Sequence, residues 1–244
     1  MNGEVDRLSG IYARNLNNAG VELIEERAEI VGPHEIKLVK SGRTVTAKHI
    51  LIAPGGTPSK DWDLPGVEHT ITSNELFHLD KLPEHIVIAG GGYIACEFAQ
   101  VFAGLGVKTT LVYRRDTVLR GFGEDVRTFV HEGLKAGGVR VITHTVFEKI
   151  EETEGEPGFK TITLKNGEEL VADQIVFAIG RNPYVEGLGL ENAGVDLDEA
   201  GAIKVDDYSR TNVDHIYAVG DVTDRVNLTP VAIREGAAFA ETVF

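Results

Sequence analysis

The stretch His85-Ile86-Val87-Ile88-Ala89-Gly90-Gly91-Gly92-Tyr93-Ile94-Ala95-Cys96-Glu97 decides the fold. Residues 85–89 have the length and apolar character of a buried strand. Three glycines make a sharp turn. Residues 96–105 then set Phe98, Val101, Phe102 and Leu105 on one helical stripe, and Gly106 stops the helix. Working outward, residues 108–113 read as a second strand. Residues 124–136 read as a helix with Val126, Phe129, Val130 and Leu134 inward, and 139–142 as a third strand. Alternation of strand and helix predicts an α/β fold, a parallel sheet with right-handed crossovers.

The flanks have a different rhythm. Val5, Leu8, Ile11, Tyr12 and Leu16 fall at helical spacing, Gly20 follows as a cap, and residues 21–24 read as a short strand. Segments 35–39, 44–48 and 49–53 alternate between Gly32-Pro33 and Ser41-Gly42, which predicts an antiparallel meander leading into a buried strand before Pro54-Gly55-Gly56. Residues 159–164 and 169–172 read as a hairpin about Lys165-Asn166-Gly167. Strand 174–179 ends at Gly180-Arg181, strand 216–219 ends at Gly220-Asp221, and a helix occupies 230–244 without a C-terminal cap.

The 244 residues are 42% hydrophobic and 25% charged, an ordinary globular mixture. No apolar run approaches the ~18–20 residues of a membrane helix, and the first residues lack the basic and apolar regions of a signal peptide. A cytoplasmic protein is therefore expected, with no membrane partner. The net charge of −14 argues against nucleic acid as a partner. The single cysteine, Cys96, excludes an intramolecular disulfide and a cysteine-based metal site, and no metal site is expected.

A strand that turns sharply into a helix offers free N–H groups and a partial positive charge to phosphate. Gly90 suits the bend and Gly92 a close approach of a pyrophosphate. Ala95 is the small residue that lets helix pack on strand, so the turn reads GxGxxA. In this strand–turn–helix context the motif predicts a dinucleotide site. At the end of the second strand, NAD sites carry an acid for the ribose hydroxyls. Here stand Tyr113-Arg114-Arg115 and then Leu119-Arg120. Guanidinium groups grip a 2′-phosphate bidentately, so Arg114 and Arg120 predict NADP(H). Arg115 reads as a solvated neighbour. Asp116 is an acid slightly out of place for an NAD site.

The run Gly90–Glu97, with Arg114 and Arg120, resembles the FAD-dependent pyridine nucleotide–disulfide oxidoreductases, in particular their glutathione reductase branch. Segments 53–56, 178–183, 217–221 and 228–232 support the resemblance along the whole chain. It implies a Rossmann-like NADPH domain with a β-meander over residues 57–183, inserted in an incomplete FAD-binding domain made of residues 1–56 and 184–244. It also implies a hydride path from NADPH to FAD to a disulfide and on to oxidised glutathione, in a homodimer.

The resemblance assigns roles. Tyr93 is an aromatic lid over the flavin, and Glu97 lies near the flavin–nicotinamide contact; these are the catalytic expectations. Gly90, Gly91, Gly92, Ile94, Ala95, Arg114 and Arg120 hold NADP(H). Gly180 and Arg181 border both cofactors. Ala28, Gly55, Asp221 and Thr229 border FAD, Asp221 at the ribityl chain and Thr229 through its backbone N–H. The chain departs from the family in lacking the first ADP-binding turn, the redox cysteine pair and the C-terminal domain with its catalytic His and Glu; Pro54 and Tyr184 also replace a common threonine and asparagine. The expectation is a partial chain, inactive alone and prone to self-association. Alternatives are a non-catalytic NADP(H)-binding module, a sibling reductase of trypanothione or mercuric ion, and use of NADH.

Overall fold

The structure, a computed structural model, describes residues 2–244. The described chain divides into two compact units: residues 58–181, and residues 2–57 with 182–244.

The first unit is built on a four-stranded parallel sheet in the order Gln174–Phe177, His85–Ala89, Lys108–Val112, Arg140–Ile142. Ile71 extends one edge through a parallel bridge to Val176. Every residue of the His85–Ala89 strand is buried, as a central parallel strand requires. Alternate side chains serve opposite faces. Ile86, Ile88 and Leu111 meet the helices Tyr93–Gly104 and Glu124–Ala136. Val87, Ala89, Val112 and Ile142 meet the antiparallel meander Phe147–Glu152, Lys160–Leu164, Glu169–Ala172.

Both helices sit rotated from the expected faces. Tyr93–Gly104 buries Ala95, Cys96, Ala99 and Phe102, while Val101 and Leu105 face solvent. Ala95 and Ala99, one turn apart, let the backbone approach the sheet closely, and that selects the face. Glu124–Ala136 turns His131 and Leu134 inward with Val130 beside them, and leaves Phe129 82% exposed and Val126 44% exposed. Leaving such a side chain in water forgoes about 1.5–3 kcal/mol. The offsetting interaction is Arg127, whose Nε and Nη2 donate to the carbonyls of Val118 and Thr117 at 3.1 and 3.0 Å. Hydrogen bonds from a charged donor are worth about 1.5–3 kcal/mol each, enough to set the rotation.

The second unit begins with the helix Asn2–Asn18. The strand expected at 21–24 does not form. Gly20 turns the chain at φ +76°, Val21 N–H bonds back to Leu16, and no strand among the described residues pairs with the segment. An antiparallel sheet follows, Ala28–Gly32, Glu35–Leu38, Thr44–Thr46. Ile50–Ile52 then pairs in parallel with Ile216–Ala218. Ile50, Ile52, Ile203 and Ile216 lie in one core, while Leu51 is 37% exposed. The helix Thr229–Val243 closes the unit. No helix of the described residues is long and apolar enough to cross a membrane.

His85 is buried at the start of the central strand. Its Nδ1 lies 2.6 Å from the Val171 carbonyl and its Nε2 2.9 Å from Thr110 Oγ1, while Asp173 accepts its backbone N–H. Burial holds its pKa below the ordinary 6.5, against the opposing Val171 bond. The unfolded chain therefore takes up this proton first, and stability is lost as pH falls below about 6.5. Thermal melts of wild type and His85→Gln should show the wild type losing stability relative to the variant between neutral and mildly acidic pH, with a constant difference above neutrality.

Candidate nucleotide-binding site

The three glycines answer to three different constraints. Gly90 has φ +140°, and a Cβ built there would stand 2.2 Å from the Ala178 carbonyl oxygen and 3.3 Å from the Ala95 Cβ. No side chain fits. Ala95 itself is fully buried. A Cβ on Gly91 would meet the Tyr113 ring at 2.5 Å. Gly92, in contrast, has nothing within 4 Å of its Cβ direction. It is the N-cap of the helix, at φ −81° and ψ 178°, and supplies no side-chain cap. The first N–H groups of the helix thus begin beside open space, a cradle for an anion.

Two contacts bring the arginine loop to this turn. Tyr113 lies against Gly91, and the next residue is Arg114. The Leu119 N–H donates to the Gly91 carbonyl at 2.6 Å, and the next residue is Arg120. Leu119 adopts φ +57°, rare for a side chain of that size, and is buried together with Val118. Further bonds from Thr145 N–H to the Tyr113 carbonyl and from His144 N–H to the Arg115 carbonyl hold the other side. Arg114, Arg115 and Arg120 are exposed, and none of their side chains has a hydrogen-bond or ion-pair partner among the described residues. Asp116 differs. It lies 3.5 Å from Arg127, and the Thr117 backbone N–H, followed by the charges of Arg127 and His144, holds it below the ordinary carboxylate range.

On the helix, Tyr93 and Glu97 are exposed and one turn apart on one face, with Ile94 half-buried beside them. Cys96 is buried, and burial with the nearby Glu97 charge pushes its thiol up to about 11. It stays a protonated, packed thiol at neutral pH. Gly180 takes φ +145°, with its carbonyl bonded to Ser59 N–H, and Arg181 is half-buried.

In the second unit, Gly55 adopts φ +78° and its carbonyl accepts from Tyr184 N–H. Asp221 sits in the short 3-10 helix Gly220–Thr223, against Gly56, where a Cβ would be 3.4 Å from its carboxylate oxygen. Thr229 is the first residue of the last helix, followed by Pro230, and is exposed like Ala28 at the start of its strand. Two residues of these arrangements were not anticipated from the sequence: Arg127, and Glu235, which accepts from Gly220 N–H at 2.8 Å and pairs with Arg225 at 3.0 Å; in the sequence Gly56 reads only as part of the turn that ends a strand. For Arg127 a signal existed, since it shares a helical face with Val130, His131 and Leu134. Among the described residues, no group of three or more His, Cys, Asp or Glu side chains is placed to hold a metal ion.

The glycine geometry separates structural from open positions. Gly90→Ala should cost roughly 2–5 kcal/mol in urea unfolding, from strained φ and the clash with Ala178. Gly92→Ala should cost under about 1 kcal/mol. Equal costs at the two positions would contradict this assignment.

Known proteins fit the same picture. The chain is 48% identical to a glutathione reductase of Nostoc sp. strain PCC 7120, over 99% of the chain and 54% of that protein. It is 44% identical to the chloroplastic/mitochondrial glutathione reductase of Pisum sativum, over 100% and 43%. It thus spans about half the length of the curated relatives it matches. Its fold superposes on the Cu(II) complex of the HOCl-induced flavoprotein disulfide reductase RclA from Escherichia coli with a TM-score of 0.90 at 28% identity, covering 100% of this chain and 55% of that one. The sequence profile of a single family matches residues 2–236. The chain belongs to the pyridine nucleotide-disulphide oxidoreductase family.

Proposed function

We propose that this chain is the NADP(H)-binding part and one wall of the flavin site of a disulfide reductase of glutathione reductase type. The observation that carries the reading is the Gly91 junction. Tyr113 and Leu119 both touch Gly91, so Arg114 and Arg120 flank a helix N-terminus that Gly92 leaves open. This suits a pyrophosphate at the turn and a 2′-phosphate between unpartnered guanidinium groups.

Bound NADPH would supply a hydride and bound FAD the two-electron chemistry that links it to a disulfide. The residues bind, orient and shield. Residues 57–183 are assigned as the NADPH domain, with Gly90, Gly91, Gly92, Ile94, Ala95, Arg114 and Arg120 as its nucleotide contacts. Tyr93 is assigned as the movable aromatic lid and Glu97 as its charged neighbour, with Gly180 and Arg181 at the cofactor border. Residues 1–56 and 184–244 are assigned to the flavin domain. There the Asp221 carboxylate would accept hydrogen bonds from ribityl hydroxyls, the Thr229 N–H at the helix N-terminus would donate to the ring, and Ala28 and Gly55 would contribute backbone contacts.

The two-stranded parallel pair with Leu51 exposed supports a flavin domain that further strands complete, because parallel sheets are covered on both faces. The one cysteine of these residues is buried and protonated, so a disulfide relay requires cysteines beyond them. The chain alone is accordingly assigned no glutathione-disulfide reduction. Oxidised glutathione as substrate belongs to the same reading, supported by the glutathione reductases among its relatives; a homodimer and a cytoplasmic location are assigned with it. A trypanothione reductase of Trypanosoma congolense, 44% identical over 81% of the chain, supports a sibling substrate as the second reading.

Calorimetric titration of the chain with NADPH and NADH tests the nucleotide assignment. At about 1.5–3 kcal/mol for each charged hydrogen bond, NADPH should bind about two orders of magnitude more tightly than NADH. Arg114→Ala/Arg120→Ala should remove that preference. Equal binding of both nucleotides by the wild type would overturn it. A yellow, flavin-bearing preparation supports the flavin wall; a colourless one favours a plain NADP(H)-binding module.

A further inference from the structure

We propose that Arg127 is a positioning residue for nucleotide choice: it ties the loop between Arg114 and Arg120 in place and draws Asp116 away from the ribose. The inference rests on the NADP(H) reading of the same turn.

Arg127 lies on the Glu124–Ala136 helix, apart from the glycine turn in sequence. Its guanidinium makes three contacts, all with the arginine loop. Nε donates to the Val118 carbonyl, Nη2 donates to the Thr117 carbonyl, and Nη2 also lies 3.5 Å from the Asp116 carboxylate. A planar fork with fixed donors suits such a cluster of acceptors, and lysine cannot reproduce it. These contacts hold the backbone immediately before Leu119, whose N–H bond to Gly91 puts Arg120 beside the turn. The helix is rotated to allow them, with Phe129 in solvent and Arg127 mostly covered.

Asp116 makes the arrangement matter for specificity. A carboxylate near the end of the second strand accepts hydrogen bonds from an unphosphorylated ribose and repels a 2′-phosphate. Asp116 stands two residues beyond Arg114, on the loop that carries both arginines. Paired with Arg127, its charge is partly compensated and its side chain is directed toward the helix. Without Arg127, the loop that carries Arg120 loosens and the carboxylate is released toward the phosphate site.

The test compares Kd values for NADPH and NADH in wild type, Arg127→Ala, Arg127→Lys and Arg127→Ala/Asp116→Asn, with a thermal melt of each. Arg127→Ala should weaken NADPH about tenfold or more and change NADH less than about threefold, so that the ratio of the two falls. Arg127→Lys should fall between. Adding Asp116→Asn to Arg127→Ala should recover part of the NADPH affinity, because it removes the repulsion while the loop contacts stay broken. A merely structural role would lower the melting temperature and weaken both nucleotides equally; an unchanged ratio in Arg127→Ala and Arg127→Lys overturns the proposal. If Arg127→Ala does not fold, Arg127→Lys and the single variant Asp116→Asn carry the test: the first must lower the ratio, and the second must leave NADPH binding unchanged or tighter. A wild type without NADPH preference would instead overturn the nucleotide assignment itself.

Discussion

The close passage of Gly90 between the Ala178 carbonyl and Ala95 governs the rest of the first unit. With no room for a Cβ and φ at +140°, the chain leaves the central strand and enters the helix within three residues. That sharpness brings the Tyr93–Gly104 helix down onto the sheet through Ala95 and Ala99, and it puts the start of the helix at the carboxyl end of the strands. Ligands of open α/β sheets bind at that end. A longer turn would move the N-terminus of the helix away from it, and the free N–H groups of the helix would no longer face the same space as the loop after the second strand.

Gly91 transmits this constraint to the loop that carries Arg114 and Arg120. Its lack of a side chain admits the Tyr113 ring, and its carbonyl accepts the Leu119 N–H. A seven-residue loop is thus held at both ends against one glycine, and Arg127 holds its middle. The arginines that face solvent are supported by groups that do not. Charged side chains at a binding site are useful only when their backbone is fixed before the ligand arrives, because ordering a loose loop on binding would oppose affinity. The positive φ at Leu119 is tolerated for the same reason: burial of Leu119 and its bond to Gly91 outweigh a local backbone penalty of about 1–3 kcal/mol.

The second unit is organised differently. Its core draws on strands near both ends of the chain, Ile50–Ile52 and Ile216–Ala218, joined in parallel. Asp221 follows directly from the second of these, and the carboxylate reaches Gly56, which follows the first. A parallel pair so placed brings two distant glycine-ended strands side by side, with an acid and a helix N-terminus at the same end. In both units the strands thus end in glycine turns at their carboxyl ends, where open α/β sheets take their ligands.

The strand–turn–helix, a parallel sheet, the meander and the presence of arginines after the second strand were legible from the amino-acid sequence alone, because they rest on local physics. Glycine where a side chain is forbidden, apolar runs of strand length and a basic pair after a strand need only their neighbours in sequence to be interpreted. The family followed from the same motifs. Helix orientation was not legible. Phe129 and Val126 match an inward stripe by hydropathy, yet Arg127 faces in, because its partners lie in a loop whose path is set by Gly91. The strand expected at 21–24 had suitable residues and no partner. The reason Gly91 is a glycine lies in Tyr113, twenty-two positions away, and the ion-pair partner of Asp116, Arg127, lies on the helix that follows. Sequence determined which charged residues follow the glycine turn; tertiary structure decided which of them are paired and which are not, since pairing depends on distances that only the folded chain sets.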